Sequence, residues 1–429
     1  MEPGPISDGA EATDWIVCQI GAREHYALPA ALRGRGRLRA LVTDIWLPPD
    51  RLWSRALRAA SPRLASRYAA ELEGARVFAD SVPSILSRSA ARLLPKGADW
   101  SAMTADNRRF DHFAAARLQH MGAPPGGGGG GGVALCYSYA ASRTLRAAKR
   151  RGLATILNQI DAGPQEAQLI SALAEGEGSR KGGAPSDAYW RGWRDECETA
   201  DMILVNSSWA RDRLVDAGVA REKLAIVPLM YRAEGPSAEL RYPARFDADH
   251  KLTVLFLGAF SLRKGARTLL EAAAALQDQP VEFLVVGRDE LGAASQKDYA
   301  NIRFVGEVPR GETRDVYRKA HVFVLPTHSD GFALTQLEAQ AHGLPAIVSR
   351  CCGDVVLDGA SGILLTEPSA AALREAILWT LRHPERLGAM SARAISRAAD
   401  FDPAAVTEQL LELGREAVRR RRPGMGAGA

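Results

Sequence analysis

The sequence predicts an α/β protein built on two parallel sheets, and three observations carry that prediction. Short apolar runs of strand length alternate with longer stretches of helical periodicity along most of the 429 residues, a pattern that implies parallel strands covered by helices. The alternation comes in two blocks separated by a polar, proline-broken stretch. The balance of 46% hydrophobic to 24% charged residues is that of a soluble globular chain long enough for two or three domains.

In the first block the strand candidates are Trp15 to Ile20, Leu38 to Thr43, Val133 to Cys136, Thr155 to Asn158, Met202 to Val205 and Leu224 to Val227. The second block repeats the pattern with Thr253 to Leu257, Val281 to Val286, Ile302 to Val305, Val322 to Leu325 and Ala346 to Val348. Between them, Tyr231 to His250 is polar and contains Pro236 and Pro243, which marks a linker. The expected organisation is a tail over 1–13, a first domain over 14–230, the linker over 231–250, a second domain over 251–400, and a terminal helix with a basic tail over 401–429. Gly126 to Gly132 follows Pro124-Pro125 and lacks the helix start of a phosphate-binding loop, so it reads as flexible surface filler.

No apolar run approaches the ~20 residues that span a bilayer. The first residues, MEPGPISDGAEATD, have no basic start and no apolar segment, so a cytoplasmic protein is expected. Five cysteines (Cys18, Cys136, Cys197, Cys351, Cys352) suit neither a disulfide framework nor a zinc site and read as small buried hydrophobes. A net charge of +5 is mild for this length, and only eight of the 55 basic residues are lysine. The preferred reading is an arginine-coated surface with no nucleic-acid partner. Arg415 and Arg419 to Arg422 close a predicted helix, where cations complement the helix dipole. Peripheral contact with an anionic membrane, at its inner face, is the alternative for that cluster.

The most informative segment is PTHSDGFALTQLEAQAHGLPAIVS, residues 326–349. Val322 to Leu325 reads as a buried strand, Pro326 to Asp330 as a loop, and Ala333 to His342 as a helix whose first N–H groups lack internal partners. Such a helix start attracts anions. Gly331 allows close backbone approach, and Glu338, two turns along, is placed to reach a ribose hydroxyl. Asp330 and Glu338 thus flank a site that suits a nucleotide-diphosphate sugar. Arg263 and Lys264 precede Gly265 at the turn after another strand, where open parallel sheets place their ligands. Two fixed positive charges there can neutralise a diphosphate, and positive charge at a helix start is unfavourable unless an anion sits nearby.

Asp330-Gly331-Phe332-Ala333-Leu334 followed by Glu338 resembles the signature of the family 4 glycosyltransferases, in which two glutamates separated by seven residues flank a Gly-Phe-Gly-Leu-type turn. The first acid here is one methylene shorter than the usual Glu. Further pieces of the chain are similar in order and spacing: WIVCQIGAREHYALPAAL near the start, YWRGWRDECETADMILVNSSWARDRLVDAGVAREKLAIVPL before the linker, then VLFLGAFSLRKGARTLLEA, FLVVGRDE and NIRFVGEVPRGE. The resemblance extends from about Trp15 to Ala398 and implies the GT-B architecture, two Rossmann-like domains facing across a cleft, with the terminal helix packing back across the junction.

The resemblance further implies a retaining, metal-independent transferase with a nucleotide-diphosphate sugar as donor, no cofactor, and a glycan, polysaccharide-precursor or lipid-linked acceptor. Asp330, Lys264 and Arg263 would be the catalytic group. The two cations and the backbone N–H groups of Gly331, Phe332, Ala333 and Leu334 would stabilise the leaving diphosphate. Asp330 would hold sugar hydroxyls and Glu338 the ribose. Relatives often carry an arginine directly after the glycine that ends the first strand of this domain, here Gly258. That position is Ala259, so the diphosphate role passes to Lys264 and Arg263.

On the acceptor side, Gly21 would leave room for diphosphate and acceptor, and His25, one helical turn beyond, would be a polar contact. The histidine that relatives place after the fourth N-terminal strand is absent from Leu135-Cys136-Tyr137-Ser138-Tyr139. Tyr137 or Tyr139 is the candidate replacement. Asn158, Gln159 and Asp161 end another strand and are acceptor candidates. Asp247-Ala248-Asp249 matches the pattern of metal-dependent transferases but precedes a strand, so it reads as solvated acids. Gly359 to Gly362 and Asp354 read as structural. Two other readings stay open at this point: a nucleotide-sugar epimerase or phosphorylase on a similar fold, and a degenerate protein that binds without catalysis.

Overall fold

The computed structural model describes residues 13–91, 99–121, 131–176, 185–232, 240–292 and 299–421. The first twelve residues, most of the glycine run, part of the linker with Pro236, and Arg422 lie outside the described residues.

Among the described residues, thirteen strands form two sheets. The first contains β1 (Trp15–Gln19), β2 (Leu38–Thr43), β3 (Val77–Ala79), β4 (Val133–Tyr137), β5 (Ala154–Asn158), β6 (Met202–Val205) and β7 (Leu224–Ile226), in the order β3-β2-β1-β4-β5-β6-β7. The second contains β8 (Leu252–Leu257), β9 (Val281–Val286), β10 (Ile302–Gly306), β11 (Val322–Leu325), β12 (Ala346–Ser349) and β13 (Gly362–Leu365), in the order β10-β9-β8-β11-β12-β13. Every neighbouring pair of the second sheet is parallel. Strands β1, β4, β5, β6, β11 and β12 are buried along their whole length. Helix cover on both faces requires such unbroken apolar runs.

All eleven expected strands are present, displaced by at most one residue at either end. Two more were not expected. β3 is three residues long, too short for a periodic signal, and β13 opens on Gly362, which reads as part of a turn but pairs with Ala346.

The described residues divide into two compact units, neither continuous in sequence. One lies within Met1–Gln159, Pro185–Leu204 and Thr407–Ala429, the other within Ile160–Ala184 and Val205–Val406. In the first, the terminal helix Pro403–Arg421 meets β1 through Gly414, where a Cβ would stand 2.2 Å from the Trp15 ring. Only glycine permits that approach. Arg415, Arg419 and Arg420 on this helix pair with Glu412 and Glu416 one or two turns earlier. Two buried carboxylates organise the start of the helix Ser142–Arg150: Asp111 accepts the N–H groups of Arg143 and Thr144, and Glu196 those of Tyr139 and Ala141. In the second unit, Phe256, Phe260, Phe283 and Phe323 fill the core around β8, β9 and β11.

The five cysteines are free, four of them buried and Cys351 half-buried. Asp247 accepts the N–H groups of Asp249 and His250 and pairs with Arg245, so the Asp-x-Asp run closes its own turn.

Candidate functional site

The second unit gathers the charged residues singled out above onto two loops that follow parallel strands. After β8 the chain turns through Ser261 to Gly265 and enters the helix Ala266–Ala274. The turn closes on itself: Lys264 N–H and Ala266 N–H both donate to the Ser261 carbonyl. Gly265 has φ +79°, and a Cβ there would lie 2.1 Å from the Pro326 carbonyl oxygen. That contact presses the turn against the loop following β11. Further bonds lock the two loops together, from His328 N–H and Thr327 Oγ1 to the Arg263 carbonyl and from Arg263 Nη1 to the Ser329 carbonyl at 2.7 Å.

Within this frame Lys264 Nζ stands 2.7 Å from Asp330 Oδ2, and Arg263 Nη1 is 3.6 Å from the same oxygen. Lys264 and Asp330 keep only 15% and 14% of their side-chain surface exposed, so the pair is weakly screened by solvent. The Lys264 contact is an ion pair without hydrogen-bond alignment, which leaves Oδ2 without a directed donor. Lys264, Arg263 and Asp330 are therefore brought together, two cations on one acid.

The loop after β12 holds the start of the next helix, Leu334–Ala341. Asp330 N–H donates to the Cys351 carbonyl at 2.7 Å and Ala333 N–H to the Cys352 carbonyl at 3.0 Å. One expectation is corrected here: the Ala333 N–H is already committed and cannot also serve a diphosphate. The side chains of Phe332 and Ala333 are buried, Phe332 edge-on to Phe401 at 5.8 Å, so what these two residues present is backbone. Gly331 accepts Ser207 Oγ at its carbonyl, and a Cβ on it would come within 3.0 Å of Asn206. Leu334 is half-buried against the same apolar cluster as Phe332. Gly258, at the end of β8, has φ +141° and donates its N–H to Val286. Asp354 receives the Ser208 N–H and hydroxyl, a structural role at the start of the helix Ser208–Asp216.

Glu338 is half-buried about one turn into its helix, and its Oε2 accepts the Tyr317 hydroxyl at 2.8 Å. Tyr317 is 1% exposed and comes from the helix Thr313–Tyr317. A second residue also escaped the sequence reading. Glu166, in the first turn of the helix Pro164–Gly176, accepts Ser329 Oγ at 2.8 Å and lies 3.9 Å from Arg263 Nη1. Burial, followed by the charge of Asp161, raises its carboxyl above the usual range. Asp161 itself accepts the N–H of Gly163 in a tight turn.

The remaining acceptor candidates belong to the first unit. Gly21 has φ +85° and donates its N–H to Asp44, a fully buried carboxylate paired with Arg67 and Arg88. His25 is exposed, and the structure corrects its setting: it is not in a regular helical turn. Glu24, His25 and Tyr26 have φ of 50°, 51° and 63°, three consecutive left-handed residues before the helix Ala27–Gly34 begins. Non-glycine residues store strain in that region. Glu24 meets the Tyr137 hydroxyl at 3.4 Å, and burial pushes its carboxyl up to about 7. Neither the strain nor this contact has a signature in the sequence REHY. Tyr139 is also left-handed, with φ 72°, and accepts Gln159 Nε2. Asn158 ends β5 and is 3% exposed.

Among the described residues no group of three or more His, Cys, Asp or Glu side chains could hold a metal ion. No helix among them is long and apolar enough to cross a membrane.

Residues 251–383 match the family model described as glycosyl transferases group 1. The chain is 31% identical over 294 residues to a D-inositol 3-phosphate glycosyltransferase of Kineococcus radiotolerans, covering 60% of this chain and 65% of that protein. A protein of the same name from Nocardia farcinica is 29% identical over 291 residues, covering 60% and 61%. The chain thus spans somewhat less than two thirds of these relatives. Among solved structures, sucrose-phosphate synthase from Thermosynechococcus elongatus superposes with a TM-score of 0.64 at 19% identity, over 94% of this chain and 98% of the other. Anabaena HepE in complex with UDP-glucose superposes with a TM-score of 0.55 at 13% identity, over 94% and 99%. These likenesses show the GT-B fold.

Proposed function

We propose, from a chain that carries a glycosyl transferases group 1 domain over residues 251–383 and has the GT-B fold expected of a family 4 glycosyltransferase, that the protein transfers a sugar from a nucleotide-diphosphate sugar to a hydroxyl of an acceptor, with retention of configuration and without an essential metal. The observation that carries this reading is the Lys264–Asp330 ion pair flanked by Arg263. Two cations that share one acid carry a net positive charge and are suited to exchanging partners. A diphosphate draws Lys264 and Arg263, and Asp330 is then free to accept sugar hydroxyls.

Departure of the diphosphate from the anomeric carbon builds negative charge on the phosphate oxygen. Fixed cations already in place lower that barrier, because no solvent has to reorganise. The Gly331 and Leu334 backbone adds to the same electrostatic cradle. Glu338, held by Tyr317, accepts ribose hydroxyls. Gly21, His25, Asn158 and Asp161 serve the acceptor, a glycan, polysaccharide precursor or lipid-linked saccharide. The names of the relatives add a phosphorylated polyol to the acceptors worth testing. We place the reaction in the cytoplasm. The glutamate partners of Arg415, Arg419 and Arg420 offset part of the charge that peripheral membrane contact would use.

The test is to incubate the protein with UDP-, GDP-, ADP- and dTDP-sugars and these acceptors, with and without a chelator, and follow nucleoside diphosphate release and product configuration by NMR. Release with an α-linked product from an α-linked donor is expected. A β-linked product contradicts retention, and a chelator-sensitive rate contradicts metal independence. Nucleotide binding without any turnover favours the degenerate reading.

A further inference from the structure

Glu166 joins the Asp330 cluster from a segment far away in sequence. Ser329 Oγ, one residue before Asp330, fixes its Oε2 at 2.8 Å, and Trp209 Nε1 in turn reaches Ser329 Oγ at 3.4 Å. The other oxygen, Oε1, is 3.9 Å from Arg263 Nη1, beyond hydrogen-bonding distance. Glu166 keeps 15% of its side-chain surface, so it is neither sealed in the core nor a solvated surface acid. The Arg263 guanidinium thus lies between two carboxylates, Glu166 and Asp330, with Asp161 close enough to act on Glu166 as a third negative charge.

Carboxylates beside a diphosphate site are suited to accept hydroxyl donors of the group attached to it. When Arg263 turns to a diphosphate, Glu166 keeps the Ser329 bond on one oxygen and has the other oriented and open. We infer that Glu166 accepts a hydroxyl of the donor's sugar beside Asp330 and so helps determine which sugar the site takes. This inference rests on the donor-site reading above. A carboxylate anchored on one oxygen and open on the other discriminates hydroxyl configuration, because a sugar whose hydroxyl points elsewhere leaves it buried and unpaired.

The experiment is calorimetry on the full chain with UDP, GDP, ADP and dTDP, each alone and as glucose, galactose, mannose or N-acetylglucosamine conjugates, for the wild type, Glu166→Gln and Ser329→Ala. The readout is the ratio of conjugate to bare-nucleotide affinity, which a merely loosened loop would not change. Glu166→Gln should leave the bare nucleotide unaffected and cut the affinity of the preferred conjugate by about tenfold. Ser329→Ala should lower the same ratio by less, because the carboxylate survives but loses its anchor. Equal weakening of nucleotide and conjugate, or no change in either, overturns the role of Glu166 while leaving the donor site standing. Failure of the wild type to bind any nucleotide overturns both readings.

Discussion

The Tyr317 hydroxyl lies 2.8 Å from Glu338 Oε2 and 3.3 Å from the Thr335 carbonyl. A phenol has one proton to donate, and the nearer, charged acceptor takes it. The bond fixes the Glu338 carboxylate from a helix other than its own, and Tyr317 is held in turn by stacking on His342 at 5.0 Å. Tyr317→Phe removes only the oxygen. If Glu338 binds ribose, this variant should weaken nucleotide binding by roughly threefold to tenfold, in line with the net worth of about 1 kcal/mol for one hydrogen bond that positions the carboxylate. Affinity for the 2′,3′-dideoxy nucleotide should not change. Calorimetry with the two nucleotides checks this.

Lys264→Ala should lower turnover by at least about tenfold, or ~1.4 kcal/mol of barrier, with the fold intact by circular dichroism. Arg263 remains 3.6 Å from Asp330, so the acid keeps one counter-ion. Undiminished turnover would remove Lys264 from the diphosphate site.

Much of this arrangement is legible in the sequence, for a definite reason. Strands such as Val322–Leu325 and Ala346–Ser349 are buried along their whole length and so leave uninterrupted apolar runs. Arg263, Lys264 and Asp330 stand on loops after parallel strands that neighbour one another, so both loops lie at the same end of the sheet. Glu166 and Tyr317 were not legible because their partners, Ser329 and Glu338, are distant in sequence, and no periodicity encodes a contact through space. The left-handed run at Glu24 to Tyr26 escaped because no glycine or asparagine announces it.

Gly265→Ala should be far more damaging than an average surface change. It places a Cβ 2.1 Å from the Pro326 carbonyl oxygen at a backbone φ of +79°. A loss on the order of 2–4 kcal/mol is expected from overpacking combined with strain. Urea unfolding measures it. A loss below about 1 kcal/mol would mean that the two loops are not locked together as described.

Burial raises the Glu24 carboxyl from 4.5 to about 7. The folded state therefore holds this proton more tightly than the unfolded chain, and the group's contribution to stability falls as pH rises from 4.5 to about 7, then levels off. Glu196, raised to about 8 by burial, adds a slope of the same sign. Glu24→Gln should flatten part of the decline in melting temperature between about pH 5 and pH 8. An unchanged slope would show that Glu24 ionises as freely folded as unfolded.

The most direct test of a donor site built on Lys264, Arg263, Asp330 and Glu338 is thermal shift of the purified protein with UDP-, GDP-, ADP- and dTDP-sugars, without metal and again with magnesium. Selective stabilisation by the sugars of one nucleotide, the same with and without magnesium and lost in Glu338→Ala, is the predicted result. Stabilisation by none of them, or stabilisation that survives Glu338→Ala undiminished, would contradict it.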